Sequence, residues 1–547
     1  MLHIVPLPTG VPSTARRLFS RPLTTSVAAS RLPTLKLFNS AVRRQRKTAI
    51  VSQGQEYSYG QLLQDAVALR NRVGHGKEID LTASRRIAFL CPRSYEYVVA
   101  QWGVWSAGAV AVPLCTTHPV PELELHYTLT DAEADTVIFH PSFRNRIKPL
   151  REKLRSLNWI ELDDIPVRST IDDVVRQQFD QIPFLNSNGA LIIYTSGTTD
   201  KMQGKPKGVL TTHANIEAQV ESLLAAWKWT EDDKILHVLP LHHVHGLINV
   251  LTCALWAGAT CEFLEPFNAE ATWQRWMSEK KDLSLFMAVP TIYSKLAHAY
   301  HSMSPEEQSK ATEACGQFRL MVSGSAALPE TVFAEWERIS GHRLLERYGM
   351  TEIGMALGNP YEGPRIPGTV GRPFPGVQVR IENEQGENVV DQPDEAGELV
   401  IGGPQVFKEY WNKPEATRKE KANGWFRTGD IVSRSQNGVF RILGRASVDI
   451  IKTGGYKVSA LDIEREMLEH SAIRDVAVVG LPSEEWGEVV GAMVVLRQGH
   501  SMELTDLREF LKERLASYKI PRVLRVVDEL PRNAMGKVNK KALRTLF

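Results

Sequence analysis

Apolar residues along the chain fall into short runs separated by stretches with helical spacing. The runs at 87–90, 136–139, 190–194, 235–239, 285–289 and 320–322 have the length and composition of buried strands. Between them, positions such as Ile216, Val220, Leu223 and Leu224 recur on one helical face and predict amphipathic helices. This strand–helix alternation predicts an α/β class with largely parallel sheets. From about residue 370 the pattern changes to short strands and turns (377–381, 398–401, 439–442), which predicts a smaller β-rich subdomain. The C-terminal stretch reads as helix, strand, strand and helix. Ser459 with Asp462 fits a helix cap. Leu504, Leu507, Leu511 and Leu515 share one face of a helix that must stop before Pro521. Residues 98–115 are the best candidate for a membrane span. Gln101, Gly103, Ser106, Gly108 and Pro113 interrupt them, so they read better as the end of a helix followed by a strand at 109–114.

Composition adds limits. With 547 residues, 43% of them hydrophobic, the chain is long enough for several domains or subdomains. The 65 basic and 63 acidic residues leave no global charge to favour nucleic acid or an anionic membrane. Five scattered cysteines (Cys91, Cys115, Cys253, Cys261, Cys315) form no C-x-x-C, which predicts a thiol-reducing compartment and neither a disulfide framework nor a zinc ribbon. The N-terminus departs from this average. No acidic residue precedes Glu56, and residues 1–35 hold Arg16, Arg17, Arg21 and Arg31 with nine Ser or Thr. That is the signature of a mitochondrial transit peptide. Pro6, Pro8 and Pro12 would interrupt the apolar core of a secretory signal.

The most informative chemistry lies in Tyr194-Thr-Ser-Gly-Thr-Thr199 and the following Gly204-Lys-Pro-Lys-Gly208, between a predicted strand and a predicted helix. Small residues let backbone N–H groups approach anionic oxygens, hydroxyls add donors, and Lys205 and Lys207 add charge. This describes a polyphosphate loop, or else a surface loop. It is no Walker A loop, because Gly197 to Gly204 is too long and Pro206 stands where Ser or Thr is required. In Tyr348-Gly-Met-Thr-Glu352 a carboxylate beside a hydroxyl can hold Mg²⁺ against phosphates. In Thr428-Gly-Asp430 a carboxylate on a tight turn can accept from ribose hydroxyls. Two further clusters are Arg445 through Gly454-Gly455-Tyr456, and Pro531 through Lys537.

The joint order of these motifs, from about residue 40 onward, resembles the adenylate-forming superfamily of acyl-CoA synthetases, luciferases and peptide-synthetase adenylation domains. The resemblance implies a large N-terminal domain (36–445) of α/β subdomains plus the β-rich part, and a small mobile α+β C-terminal domain (446–547). It implies that Thr195, Ser196, Gly197, Thr198, Thr199, Gly204, Lys205 and Lys207 form the phosphate loop. Ser325, Ala326 and Tyr348 would line the adenine pocket, Thr351 would contact phosphate and Glu352 would hold Mg²⁺. Asp430 and Arg445 would take the ribose, Lys537 would be the catalytic lysine of adenylation, and Gly454, Gly455 and Tyr456 would meet the pantetheine of coenzyme A. A carboxylate would attack the α-phosphorus of ATP and release pyrophosphate, and CoA thiolate would then displace AMP from the acyl-adenylate. The small domain would rotate between the two steps about residues 446–449. One departure stands out: residues 200–203 (Asp-Lys-Met-Gln) interrupt a motif that family members run together.

The acyl group is the finer question. By resemblance, residues 239–246 (Leu-Pro-Leu-His-His-Val-His-Gly) form part of the acyl pocket. Their three histidines lack an acidic partner at metal-site spacing. A fatty-acid enzyme needs an apolar tunnel, whereas a dicarboxylate enzyme needs a buried cation for the second carboxylate. His245 and Arg319 are the candidates. Segments 239–246, 286–292, 319–329, 344–355 and 447–461 resemble malonate–CoA ligases of mitochondria. That resemblance implies malonyl-CoA synthesis in the mitochondrial matrix from malonate, with methylmalonate as a further candidate, serving malonate clearance and mitochondrial fatty-acid synthesis; the substrates are small molecules (malonate, ATP and CoA), and no nucleic acid, membrane span or protein partner is inferable. Two alternatives are a medium-chain fatty acyl-CoA ligase and, because of the 200–203 insert, a non-catalytic nucleotide-binding paralogue.

Overall fold

The computed structural model describes residues 35–74, 85–117, 121–162, 187–195, 206–532 and 538–547. The predicted apolar runs become the central strands of two sheets. The larger has nine strands. Its middle pairs Thr260–Phe263, Lys234–His237, Leu285–Ala288, Leu320–Gly324 and Leu345–Met350 in parallel, and Gly354–Gly358 then returns antiparallel. The second, of seven strands, runs Val110–Pro113, Arg86–Leu90, Thr136–Phe139 and Asn158–Glu161 in parallel. Gly189–Thr195 and Lys207–Thr212 add an antiparallel hairpin to it, with Thr195 opposite Lys207. Parallel strands buried on both faces read as continuous apolar runs, which is why these were visible in the sequence.

Helix His213–Trp227 buries Ile216, Val220 and Leu223, as their spacing requires. It begins at Thr212, whose hydroxyl accepts from Asn215 N–H in a reciprocal capping box. Residues 98–115 split into helix Tyr95–Ser106 and strand Val110–Pro113. Among the described residues no helix is long and apolar enough to cross a membrane. The residues after 370 form an antiparallel five-stranded sheet that includes Gln378–Glu382, Gly397–Gly402, Trp425–Arg434 and Phe440–Arg445.

A fourth sheet, built from residues 450–526, has its own core. Ser459 caps helix Ala460–Leu468 by accepting from Asp462 N–H, as expected. Leu507 and Leu511 are buried on helix Leu504–Lys512. The sequence left several elements unread, one of them of a rare kind. His245–Thr252 is a π-helix, a rare form that needs backbone bonds one residue longer than an α-helix and gathers at functional sites.

Candidate active site

In parallel sheets, ligand sites gather beyond the carboxyl ends of the strands. Strand Leu320–Gly324 ends there at Ser325, a non-glycine residue held at φ 69°. Such a conformation is costly away from glycine and persists where the surroundings impose it. His245 Nδ1 lies 3.1 Å from Ser325 Oγ. On the other side Arg347 Nη2 donates to the same hydroxyl at 3.5 Å. Gly324 makes the approach of Arg347 possible, because a Cβ there would stand 2.6 Å from the guanidinium carbon.

Arg347 is 3% exposed and makes no salt bridge among the described residues. Burial alone pushes its guanidinium down to about 9. His245 is held neutral by burial, with the neighbouring Arg347 charge adding to the effect. Its Nε2, Arg347 Nε and Ser323 Oγ are all buried without a partner among the described residues. A buried unpaired cation beside unsatisfied polar atoms is expensive unless an anion completes the group.

Arg319 does not join this group. It sits at the opposite, amino-terminal end of strand Leu320–Gly324. Its guanidinium is committed to Asp233 (2.8 and 2.6 Å) and to the Trp227 carbonyl (2.9 Å). The buried cation beside His245 and Ser325 is Arg347, which sequence reasoning passed over. The signal was present, as a charged pair, Glu346-Arg347, inside the apolar strand pattern that starts at Leu344.

A second group joins strands Trp425–Arg434 and Phe440–Arg445. Asp430 and Arg445 are cross-strand partners, with Arg445 Nε 3.0 Å from Asp430 Oδ1. Tyr348 donates its hydroxyl to Asp430 Oδ2. Burial raises the Asp430 carboxyl, and Arg445 opposes that shift. Three residues far apart in sequence thus meet around one carboxylate.

The third group surrounds Glu352, 5% exposed. Tyr410 Oη lies 3.0 Å from Glu352 Oε1 and 2.7 Å from Glu420 Oε2. Lys207 reaches Glu420 at 3.4 Å and lies over the Tyr410 ring. Burial raises the Glu352 carboxyl, and the nearby Glu420 adds to the rise. A buried oxygen donor under this pressure fits a hard divalent cation, which would stabilise its charged form. Thr351 adjoins Glu352 and is half-buried. Ala326, beside Ser325, is exposed. Thr195 bonds the Lys207 carbonyl at 3.5 Å, so the two described ends of the phosphate loop are held together. Ser196, Gly197, Thr198, Thr199, Gly204, Lys205, the 200–203 insert and Lys537 lie outside the described residues.

In the C-terminal sheet, Gly454 and Gly455 form a two-residue hairpin turn with φ 55° and 83°, a geometry that glycine supplies without strain. Tyr456 follows, 54% exposed and stacked on Tyr518 with ring centroids 4.2 Å apart. At the junction between the two parts of the chain, Asp449 accepts from Arg445 N–H at 2.9 Å. Lys540 bridges Asp449 and Glu464 at 2.6 Å each.

Comparison with known proteins places these features in a family. The AMP-binding enzyme family matches residues 37–411, and the C-terminal domain of AMP-binding enzymes matches 462–537. The chain belongs to the AMP-binding enzyme family. Among the relatives of this AMP-binding enzyme is malonate–CoA ligase ACSF3, mitochondrial, of Xenopus laevis, 44% identical over 538 residues, covering 93% of this chain and 92% of that protein. The protein of the same name from Bos taurus is 47% identical over 485 residues, covering 84% and 80%. A solved structure of ATP-bound MatB from Rhodopseudomonas palustris superposes with a TM-score of 0.82 at 34% identity, covering 94% of this chain and 99% of that one.

Proposed function

We propose that this AMP-binding enzyme is an ATP-dependent, AMP-forming malonate–CoA ligase acting in the mitochondrial matrix, behind a transit peptide within residues 1–35. The observation that carries the choice of acid is the buried cation Arg347, unpaired among the described residues, with neutral His245 and Ser325 at its side. A carboxylate one methylene away from the reacting carboxylate would complete that group. A fatty acid would leave it unsatisfied in an apolar surrounding. The relatives named above agree with the choice, and their names include the mitochondrial location.

In this reading Arg347 holds the distal carboxylate of malonate, His245 and Ser325 orient it, and the other carboxylate faces the α-phosphorus of ATP. Tyr348, Ser325 and Ala326 flank the adenine, and Asp430, steadied by Arg445 and Tyr348, accepts from the ribose hydroxyls. Glu352 would hold Mg²⁺, which neutralises phosphate charge when bound. Thr195–Thr199 and Gly204–Lys207 cradle the phosphates, and Lys537 stabilises charge on the phosphoryl oxygens as pyrophosphate leaves. CoA thiolate then attacks the acyl carbon and AMP departs, with Gly454, Gly455 and Tyr456 along the pantetheine. The units are 36–445 and 446–547, turning about 446–449. Methylmalonate is a second substrate in the same class.

Pyrophosphate exchange into ATP tests the reading. Exchange that depends on malonate and not on butyrate or octanoate is the expected result. Exchange that prefers octanoate, or none with any acid, overturns it.

A further inference from the structure

Asp131 is the last residue of helix Pro121–Asp131, where a carboxylate opposes the helix dipole. It does not serve its own helix, yet its side chain is only 14% exposed and both of its oxygens are engaged. Tyr194 donates its hydroxyl to Oδ2 at 2.8 Å, and Lys413 Nζ lies 2.8 Å from Oδ1. Tyr127, one turn earlier on the helix, shares its proton between Oδ1 at 3.2 Å and the Pro206 carbonyl at 2.8 Å. The Tyr127 and Tyr194 rings meet edge to face, with centroids 6.2 Å apart.

These contacts gather on the two stems of one hairpin. Tyr194 directly precedes Thr195, the end of the outgoing strand, and Pro206 directly precedes Lys207, the start of the returning one. Tyr194 stands opposite Gly208, where a Cβ would lie 3.1 Å from the phenol Cζ and 2.9 Å from Ile192 Cγ2, so the ring rests on bare backbone. Lys413 brings in the β-rich part of the chain. Trp411 N–H donates to the Gly208 carbonyl at 2.8 Å, and helix Pro414–Glu420 starts at the residue after Lys413. That helix ends at Glu420, which accepts from Tyr410 and meets Lys207, while Tyr410 also bonds Glu352. One carboxylate thus joins both stems to the segment that borders Glu352.

We infer that Asp131, with Tyr127, Tyr194 and Lys413, forms a positioning cluster for the outer phosphates of ATP. It fixes the spacing of the stems that carry the two halves of the phosphate loop, and through Lys413 it keeps Lys207 and Glu352 in register with them. The inference rests on the phosphate-loop assignment in the reading above and not on the choice of acid. A cluster that only stabilised the fold would treat every adenine nucleotide alike. One that acts through the loop discriminates by phosphate number, because AMP lacks the phosphates the loop is there to hold. Small displacements of such a support are felt at the site it positions.

Binding of ATP with Mg²⁺ and of AMP to the full chain, measured without acid or CoA, reads this difference. Tyr127→Phe and Tyr194→Phe each delete one hydroxyl and keep the ring, so the packing survives. Each should weaken ATP about tenfold, the factor that loss of a hydrogen bond to a charged group carries, and leave AMP within about twofold. Lys413→Met should do the same, and Lys413→Arg, which can still pair with Asp131, should keep the affinity for ATP. Asp131→Ala removes all of these contacts and should open the widest gap between ATP and AMP. Equal losses for the two nucleotides, or a lower melting temperature with both affinities unchanged, overturn the positioning role while leaving the ligase reading in place. A wild-type chain that binds no ATP overturns that reading, and the inference with it.

Discussion

Arg347 reaches across to Ser325 from the neighbouring parallel strand, Nη2 to Oγ at 3.5 Å, and the hydroxyl it meets also contacts His245. Two adjacent strand ends thus present a cation and a hydroxyl to one point in space, and no carboxylate among the described residues neutralises that cation. In the proposed reading, selectivity for a dicarboxylate rests on this pairing.

Arg347→Leu should lower kcat/KM for malonate by about 100-fold or more, the factor that corresponds to about 3 kcal/mol for a charge left without its buried partner. The same variant should use butyrate as well as the wild type does, or better. Exchange rates with the two acids, measured side by side, read the ratio. An unchanged ratio removes Arg347 from the substrate.

Arg319→Leu should do the reverse. It strands Asp233, whose side chain is only 3% exposed and whose carboxyl Arg319 and Ser284 help to hold low against its burial. The expected cost is about 2–3 kcal/mol, below the range for fully buried pairs because Arg319 is itself a quarter exposed. A lowered melting temperature with an unchanged malonate-to-butyrate ratio is the outcome to look for. A changed ratio with an unchanged melting temperature would restore Arg319 to the pocket.

Glu346 gives stability a specific pH dependence. The residue is 6% exposed, its Oε1 accepts from Leu328 N–H at 2.9 Å, its Oε2 has no partner among the described residues, and burial pushes its carboxyl up to about 8. Between the ordinary value of 4.5 and 8 the folded protein keeps a proton that the unfolded chain releases. Stability from this group therefore falls as pH rises through that window, by at most about 1.4 kcal/mol per unit. Below it both states are protonated, and above it both are ionised. Melting temperatures of the wild type and Glu346→Gln from pH 5 to 8 should diverge, with the variant showing the shallower decline. Parallel curves would mean that Glu346 ionises normally.

Lys537→Ala should reduce malonate-dependent exchange by about two to three orders of magnitude, as loss of a transition-state charge donor does. Transfer of supplied malonyl-adenylate to CoA should be largely intact. Equal damage to both half-reactions would count against two alternating arrangements of the C-terminal domain.

Deleting 200–203 should keep or raise exchange activity. Lengthening a flexible loop costs little closure entropy, roughly 0.6 kcal/mol per doubling, so an outward bulge is tolerated but cannot improve the order of the donors on either side. A deletion variant with weakened ATP affinity would make the insert part of the working phosphate site.

Local chemistry decided what was legible in the sequence. Parallel strands announce themselves as apolar runs because both faces are buried, and the capping pair Ser459–Asp462 and the Gly454-Gly455 turn need only their neighbours in the chain. The phosphate loop, Asp430, Arg445 and Glu352 could be named only through the family resemblance that the joint order of their motifs carries, since each short motif is weak alone. Choosing between Arg319 and Arg347 was another matter. Both flank or occupy strands of one sheet, and the sequence does not say that Arg319 lies at the amino end, claimed by Asp233, while Arg347 lies near the carboxyl end with no acid among the described residues to claim it. Nor does it say that Tyr348, Asp430 and Arg445 converge, or that Tyr194 and Lys413 meet at Asp131. Those facts depend on strand order, register and the packing of distant segments. Tertiary structure alone determines which buried charges are already paired and which still lack a partner.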